Sequence, residues 1–167
     1  MIAPPDALVH ALEPWNRFYS HSKMTQTIVT FLHVGGLLLA GGLAIAADRS
    51  TLRALRIAAH ERPPYLNELK TVHRWVISGL GIVVVSGLAL LASDIETFFG
   101  SGIFWIKMVL VIALLVNGLM MTRAETQLLR DAGENATAWR ALHRIAVTSF
   151  ALWFATAALG VALVNFS

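Results

Sequence analysis

Four apolar runs of about 20 residues, at 25–47, 75–93, 103–121 and 145–164, set the terms on which this chain can fold. A helix needs roughly that length to cross about 30 Å of hydrocarbon. Inside lipid a single segment must satisfy its own backbone hydrogen bonds, which a helix does. Composition agrees, since 56% of the 167 residues are hydrophobic and 14% are charged, leaving too little polar surface for a water-soluble packing. The expected fold is all-α: an integral membrane antiparallel four-helix bundle, forming one membrane domain over residues 1–167.

Basic residues orient the bundle. The connection between the first two spans carries Arg49, Arg53, Arg56, Arg62, Lys70 and Arg74, and that between the last two carries Arg123, Arg130, Arg140 and Arg144. Both connections are therefore expected in the cytoplasm, with the N-terminus, the Asp94–Glu96 connection and the C-terminus outside. The net charge of +3 follows from this bias, so binding to nucleic acid is not expected. The chain has no cysteine, which excludes disulfides, thiolate metal sites, iron–sulfur clusters and covalently attached haem. The N-terminus lacks a basic n-region and an A-x-A cleavage site, so the first span is expected to be retained.

Residues 1–24 read as an outer interfacial segment, with Leu8, Leu12, Trp15 and Tyr19 at near-helical spacing and a restart at Pro14. Trp15, Phe18, Tyr19, Phe98, Phe99, Phe104, Trp105 and Phe166 would form the outer aromatic belt, and Trp75 and Trp139 the inner one. The first inner connection is expected to extend the first helix past Arg49 and to turn before Asn67. The last is expected to turn at Gly133 to Asn135 and resume near Thr137. Glycines 35, 36, 41, 42, 79, 81 and 87 would let backbones, or a flat cofactor, approach closely. Val72-His73-Arg74-Trp75 and Leu142-His143-Arg144-Ile145 form a weak internal repeat.

That repeat carries the first chemical expectation. His73 and His143 open two helices of the same direction, so their imidazoles lie at one depth, as two axial ligands of a b-type haem would. Ile77, Leu80, Val147 and Phe150 would pack on the ring, and Arg74 and Arg144 would pair with its propionates. The plain alternative is that both histidines are interfacial anchors. His33 and Lys107 are the other ionisable groups within the spans. At 1.5 Å per residue they lie roughly 12 Å and 6 Å into their runs, a gap that a lysine side chain covers. They could form an outer polar site for a second haem ligand, a quinone carbonyl or a metal ion. Alternatively, Lys107 snorkels and His33 bonds a backbone carbonyl. Asn117 reads as helix-packing glue, and His10, His21 and His60 as surface residues, with His21 on the same side as His33. No nucleophile triad, phosphate loop, H-E-x-x-H motif or paired intramembrane carboxylates are recognisable, so hydrolytic and nucleotide chemistry are not expected.

The stretch Phe31-Leu32-His33-Val34-Gly35-Gly36, with Gly41-Gly42 and Ala47-Asp48-Arg49, resembles the first-helix signature of small bacterial membrane proteins related to the CopD copper-resistance family. Ala92-Ser93-Asp94, Phe104-Trp105-Ile106-Lys107-Met108 and Asn117 resemble the third-helix signature. A first-helix histidine with a third-helix lysine is also similar to the HemJ-type protoporphyrinogen oxidases, four-helix proteins that carry b-type haem. Met120-Met121-Thr122-Arg123 departs from that pattern, where the HemJ type has a further histidine. The resemblance implies a redox or metal-related protein of the bacterial inner membrane and draws attention to His33 and Lys107.

Together these readings give a cytochrome b-like electron-transfer protein, an oxidoreductase in the broad sense. It would hold one or two haem b groups and exchange electrons with quinone or a partner redox protein. Two other readings stay open: a cofactor-free accessory subunit of a larger membrane complex, and a copper-handling protein using His33 and His21.

Overall fold

The computed structural model describes residues 3–54, 56–57, 63–131 and 135–166, and for 63–70, 164 and 166 the backbone alone. The described chain forms helices α1 (Asp6–His21), α2 (Lys23–Ala54), α3 (Pro63–Ser93), α4 (Ile95–Gly100), α5 (Gly102–Arg130) and α6 (Ala136–Phe166), and no strand. Four of them, α2, α3, α5 and α6, are long and apolar enough to cross a membrane. Phe31, Leu38, Val85, Val109 and Val161 are between 65% and 73% exposed. Side chains of this kind, spread over the outside of a bundle, belong against lipid tails. The chain is a multi-pass, all-α membrane protein, as the four apolar runs require.

Short polar residues set the helix boundaries. Ser22 ends α1 and begins α2, its hydroxyl accepting from Thr25 N–H at 3.2 Å. Asp94 accepts from Thr97 N–H and caps α4, and Ser101 accepts from Phe104 N–H to cap α5. Asn135 Oδ1 accepts from the amides of Thr137 and Ala138 at 3.1 and 3.0 Å, so α6 begins where the sequence indicates. Gly133, Glu134, Arg62 and His60 lie outside the described residues. Helix α3 begins at Pro63, earlier than the expected start near Asn67, because proline tolerates the first helical position, where its missing N–H costs nothing. Helix α1 runs through Pro14 without restarting. It is tied to the end of α3 by Trp15 Nε1–H donating to Ala89 C=O at 2.9 Å and by Asn16 donating to Ser93 C=O.

Small residues decide which helices touch. A Cβ on Gly79 would sit 2.9 Å from that of Ala40, and one on Gly36 would sit 2.9 Å from Val83, so α2 and α3 meet nearly backbone to backbone. A Cβ on Gly41 would lie 3.1 Å from the Trp153 ring, which brings α6 onto the neighbouring face of α2. Gly35, Gly42 and Gly81 face open space. The principal contacts are α2 with α3 and α5 with α6, joined through α2 and α6, whereas α3 and α5 touch only loosely. The bundle is thus two hairpins closed on one side and parted on the other.

All four long helices extend beyond their apolar runs at the end that carries the arginines. There Leu128, Ala138, Trp139, Leu142 and Ala146 pack with Ala54 and Met121 into a core of its own. Trp139 is 2% exposed, which corrects its expected place in an interfacial belt, while Trp75 is 63% exposed and keeps its place.

Candidate functional site

One polar side chain from each long helix converges where the membrane-spanning part of the bundle meets this extension. Asp48 on α2, Glu125 on α5 and Ser149 on α6 are 3%, 4% and 8% exposed. His73 on α3 faces them, its Nδ1 lying 3.2 Å from Glu125 Oε2. The Ser149 hydroxyl hydrogen-bonds the Asp48 carboxyl, and His73 and Glu125 are both close enough to Asp48 to act on its charge. The remaining oxygens, Asp48 Oδ2 and Glu125 Oε1, are buried without a hydrogen-bond partner among the described residues. Acceptors therefore outnumber donors within the cluster. A buried polar group of this kind is normally satisfied, so the arrangement leaves room for a further donor beyond the described residues.

Asp48, His73 and Ser149 of this cluster line one end of a cavity of about 590 Å³ between α3 and α5, and Glu125 lies outside the lining. Asp48, His73, Asn117, Thr122 and Ser149 supply its polar lining, and Leu80, Leu114 and Trp153 stand among the apolar groups. Ile77, Val85 and Leu119 of the same wall are 58%, 70% and 59% exposed, so the cavity opens sideways toward lipid. Gly81 and Gly118 line it from opposite helices, and a Cβ at either would meet nothing within 4 Å. The missing side chains hold the cleft open. Asn117 Nδ2–H donates to Ile145 C=O at 3.2 Å, joining α5 to α6 as expected of packing glue, and also reaches the cavity wall.

His73 and His143 are not brought together at this cavity. The inward face of α6 is formed by Trp139, Leu142, Ala146, Ser149 and Trp153, whereas His143 is exposed and does not line the cavity. Equal depth does not bring the two imidazoles together, because depth leaves the direction around the helix axis undetermined. Ile77 and Leu80 line the cavity as expected, but Val147 and Phe150 are 50% and 47% exposed and do not. Arg74 and Arg144 are also exposed and outside the lining. A haem held between His73 and His143 therefore does not fit this arrangement.

Asp48 and Glu125 are carboxylates of this cluster that the sequence reading did not single out. Both lie at the margins of the apolar runs, in a region that reads as a solvated connection. The available signal was their spacing: Asp48 follows Ala40, Gly41 and Ala44 on the buried face of α2, and Glu125 follows Leu114, Asn117 and Met121 on that of α5.

At the opposite end of the bundle, His33 and Lys107 do come together. Both line a second cavity of about 180 Å³, with Thr156, Phe98, Phe104 and Leu163 among its walls. His33 Nδ1–H donates toward Val83 C=O and Ser86 Oγ, each at 3.1 Å, while the Ser86 hydroxyl donates to Ile82 C=O at 2.6 Å. The backbone contact foreseen for His33 is thus present, and it orients the ring at the cavity wall. His10 and His21 are exposed. Among the described residues no group of three or more histidine, cysteine, aspartate or glutamate side chains is placed to hold a metal ion.

Comparison with protein-family models, with curated proteins and with solved structures returns no match to this chain. Its fold and clefts therefore rest on its own residues: an all-α multi-pass membrane protein with a mainly apolar cavity toward each end, each carrying a few polar side chains.

Proposed function

We propose that this is a membrane redox protein that receives a quinone headgroup at the Asp48–His73–Glu125–Ser149 end of the α3–α5 cleft. The observation that carries this reading is the uneven lining: protonatable groups at one end, mainly apolar side chains along its length, and exposed apolar residues on the side toward the bilayer. A lipid-soluble quinone has the complementary form, a polar ring on an apolar tail, and it arrives laterally from the membrane. Reduction of a quinone to the hydroquinone takes two electrons and two protons. A partner redox protein would supply the electrons, and the carboxyl–imidazole cluster would relay the protons. A hydroquinone hydroxyl would also provide a donor to Asp48 Oδ2, which lines the cleft and has none among the described residues. The positive-inside bias supports placing the arginine-bearing end on the cytoplasmic side of a bacterial inner membrane.

A second reading keeps b-type haem, bound in the same cleft with His73 as its one histidine ligand. It is favoured by Glu125 at Nδ1, the position a carboxylate takes behind a metal-bound imidazole. The two readings separate on detergent-purified protein. Quinone recovered in stoichiometric amount from an organic extract of a colourless preparation supports the first, and a Soret band with a b-type alpha band supports the second. Protein that carries neither, binds no added quinone and co-purifies with a larger complex would replace both with an accessory subunit.

A further inference from the structure

The cavity at the α1 end holds a cation with no counter-charge among the described residues. Lys107 is partly buried and points inward: a Cβ on Gly160 of α6 would lie 3.6 Å from its Nζ. The ammonium therefore crosses from α5 toward α6 instead of turning back along the membrane surface. Among the described residues it has neither a carboxylate nor a hydrogen-bond partner. One turn before Gly160, Thr156 is 4% exposed, lines the same cavity, and its Oγ1 has no hydrogen-bond partner. Two polar groups on facing helices thus look into one space, and both can donate. A cation without a counter-charge at this depth is costly, and an anionic oxygen placed between the two would offset that cost.

The walls limit what can bring that oxygen. Phe98 and Phe104, with ring centroids 5.8 Å apart, stand at the cavity wall, and the rest of the lining is mainly aliphatic. Val84 and Leu88 in the lining are 40% and 59% exposed, so this cavity too opens toward lipid. Its volume of about 180 Å³ accommodates a carboxylate and several methylenes. We propose that the Lys107–Thr156 cavity binds the carboxylate of an apolar carboxylic acid that enters from the bilayer, with Lys107 as its counter-ion and Thr156 donating the second hydrogen bond. His33, fixed by Val83 and Ser86, forms the wall opposite. This site is separate from the quinone cleft and does not depend on that reading.

The test compares an undecanoic acid bearing a dansyl reporter with the matching alcohol, on the full chain in phosphatidylcholine nanodiscs. The acid is expected to bind saturably and about tenfold more tightly than the alcohol, as a desolvated charge-assisted contact should. Lys107→Met should bring the acid down to the level of the alcohol, Lys107→Arg should preserve most of the difference, and Thr156→Val should weaken the acid alone. Equal binding of acid and alcohol to the unaltered protein overturns the proposal, as does full acid binding by Lys107→Met. Should Lys107→Met fail to fold, the acid–alcohol contrast and Thr156→Val still decide. Gly118→Leu, which obstructs the other cleft, must leave acid binding intact; its loss there would assign the probe to that cleft and also overturn the proposal.

Discussion

Asp48 and Glu125 are the carboxyls on which the proposed quinone site turns, and neither had an obvious claim from sequence. Each lies where an apolar run gives way to a basic connection, a position that normally signals contact with water. In the folded chain α2 and α5 continue as helices past those points, so both carboxyls follow the buried face inward. We expect Asp48→Asn, which keeps the shape and removes the charge, to weaken quinone binding at least tenfold while changing stability little, as checked by a ligand titration and a thermal melt. Glu125→Ala should behave differently. It leaves the His73 imidazole without its carboxylate partner and should cost about 1–3 kcal/mol, measured as lost resistance to denaturant. His73 itself was legible as a candidate, but its expected partner was not. His143 shares its depth and sequence context but faces outward, because a helix that turns 100° per residue separates neighbours whose depths are nearly equal. His33 and Lys107 were read more fully, since an ionisable group deep within an apolar run has few places to go.

At the level of the helices, the spans were legible almost entirely, because the hydrocarbon thickness fixes the length of an apolar run independently of tertiary packing. The extension at the arginine-bearing end was less legible. Trp139 and Leu142 there build a water-type core from residues interleaved with arginines, and the sequence alone assigns such a tryptophan equally well to the interface. Trp139→Ala should therefore cost about 3–5 kcal/mol, an outcome that a solvent-facing belt residue would not give. Glycine positions separate close packing from open space. Gly79→Ala forces α3 away from Ala40 and should destabilise the bundle by about 1–3 kcal/mol. Gly42→Ala meets nothing within 4 Å and should leave the melt unchanged or slightly raised.

The whole molecule is two tightly packed hairpins with an open seam between α3 and α5, and both cavities lie along that seam, sharing Val84 in their walls. Such a seam gives bilayer-soluble molecules access without requiring the bundle to open. The placement of the arginine-bearing end predicts that alkaline phosphatase fused after the C-terminus is active, while a fusion after Arg130 is inactive. The opposite pattern would reverse the orientation. The most direct test of the account is a titration of the purified protein in nanodiscs with a short-chain quinone, following quenching of tryptophan fluorescence, since Trp153 lines the α3–α5 cleft. A quinone site in this cleft gives saturable quenching by the unaltered chain and a loss of at least tenfold in affinity for both Asp48→Asn and Gly118→Leu. Linear, unsaturated quenching that is the same in all three proteins would contradict it.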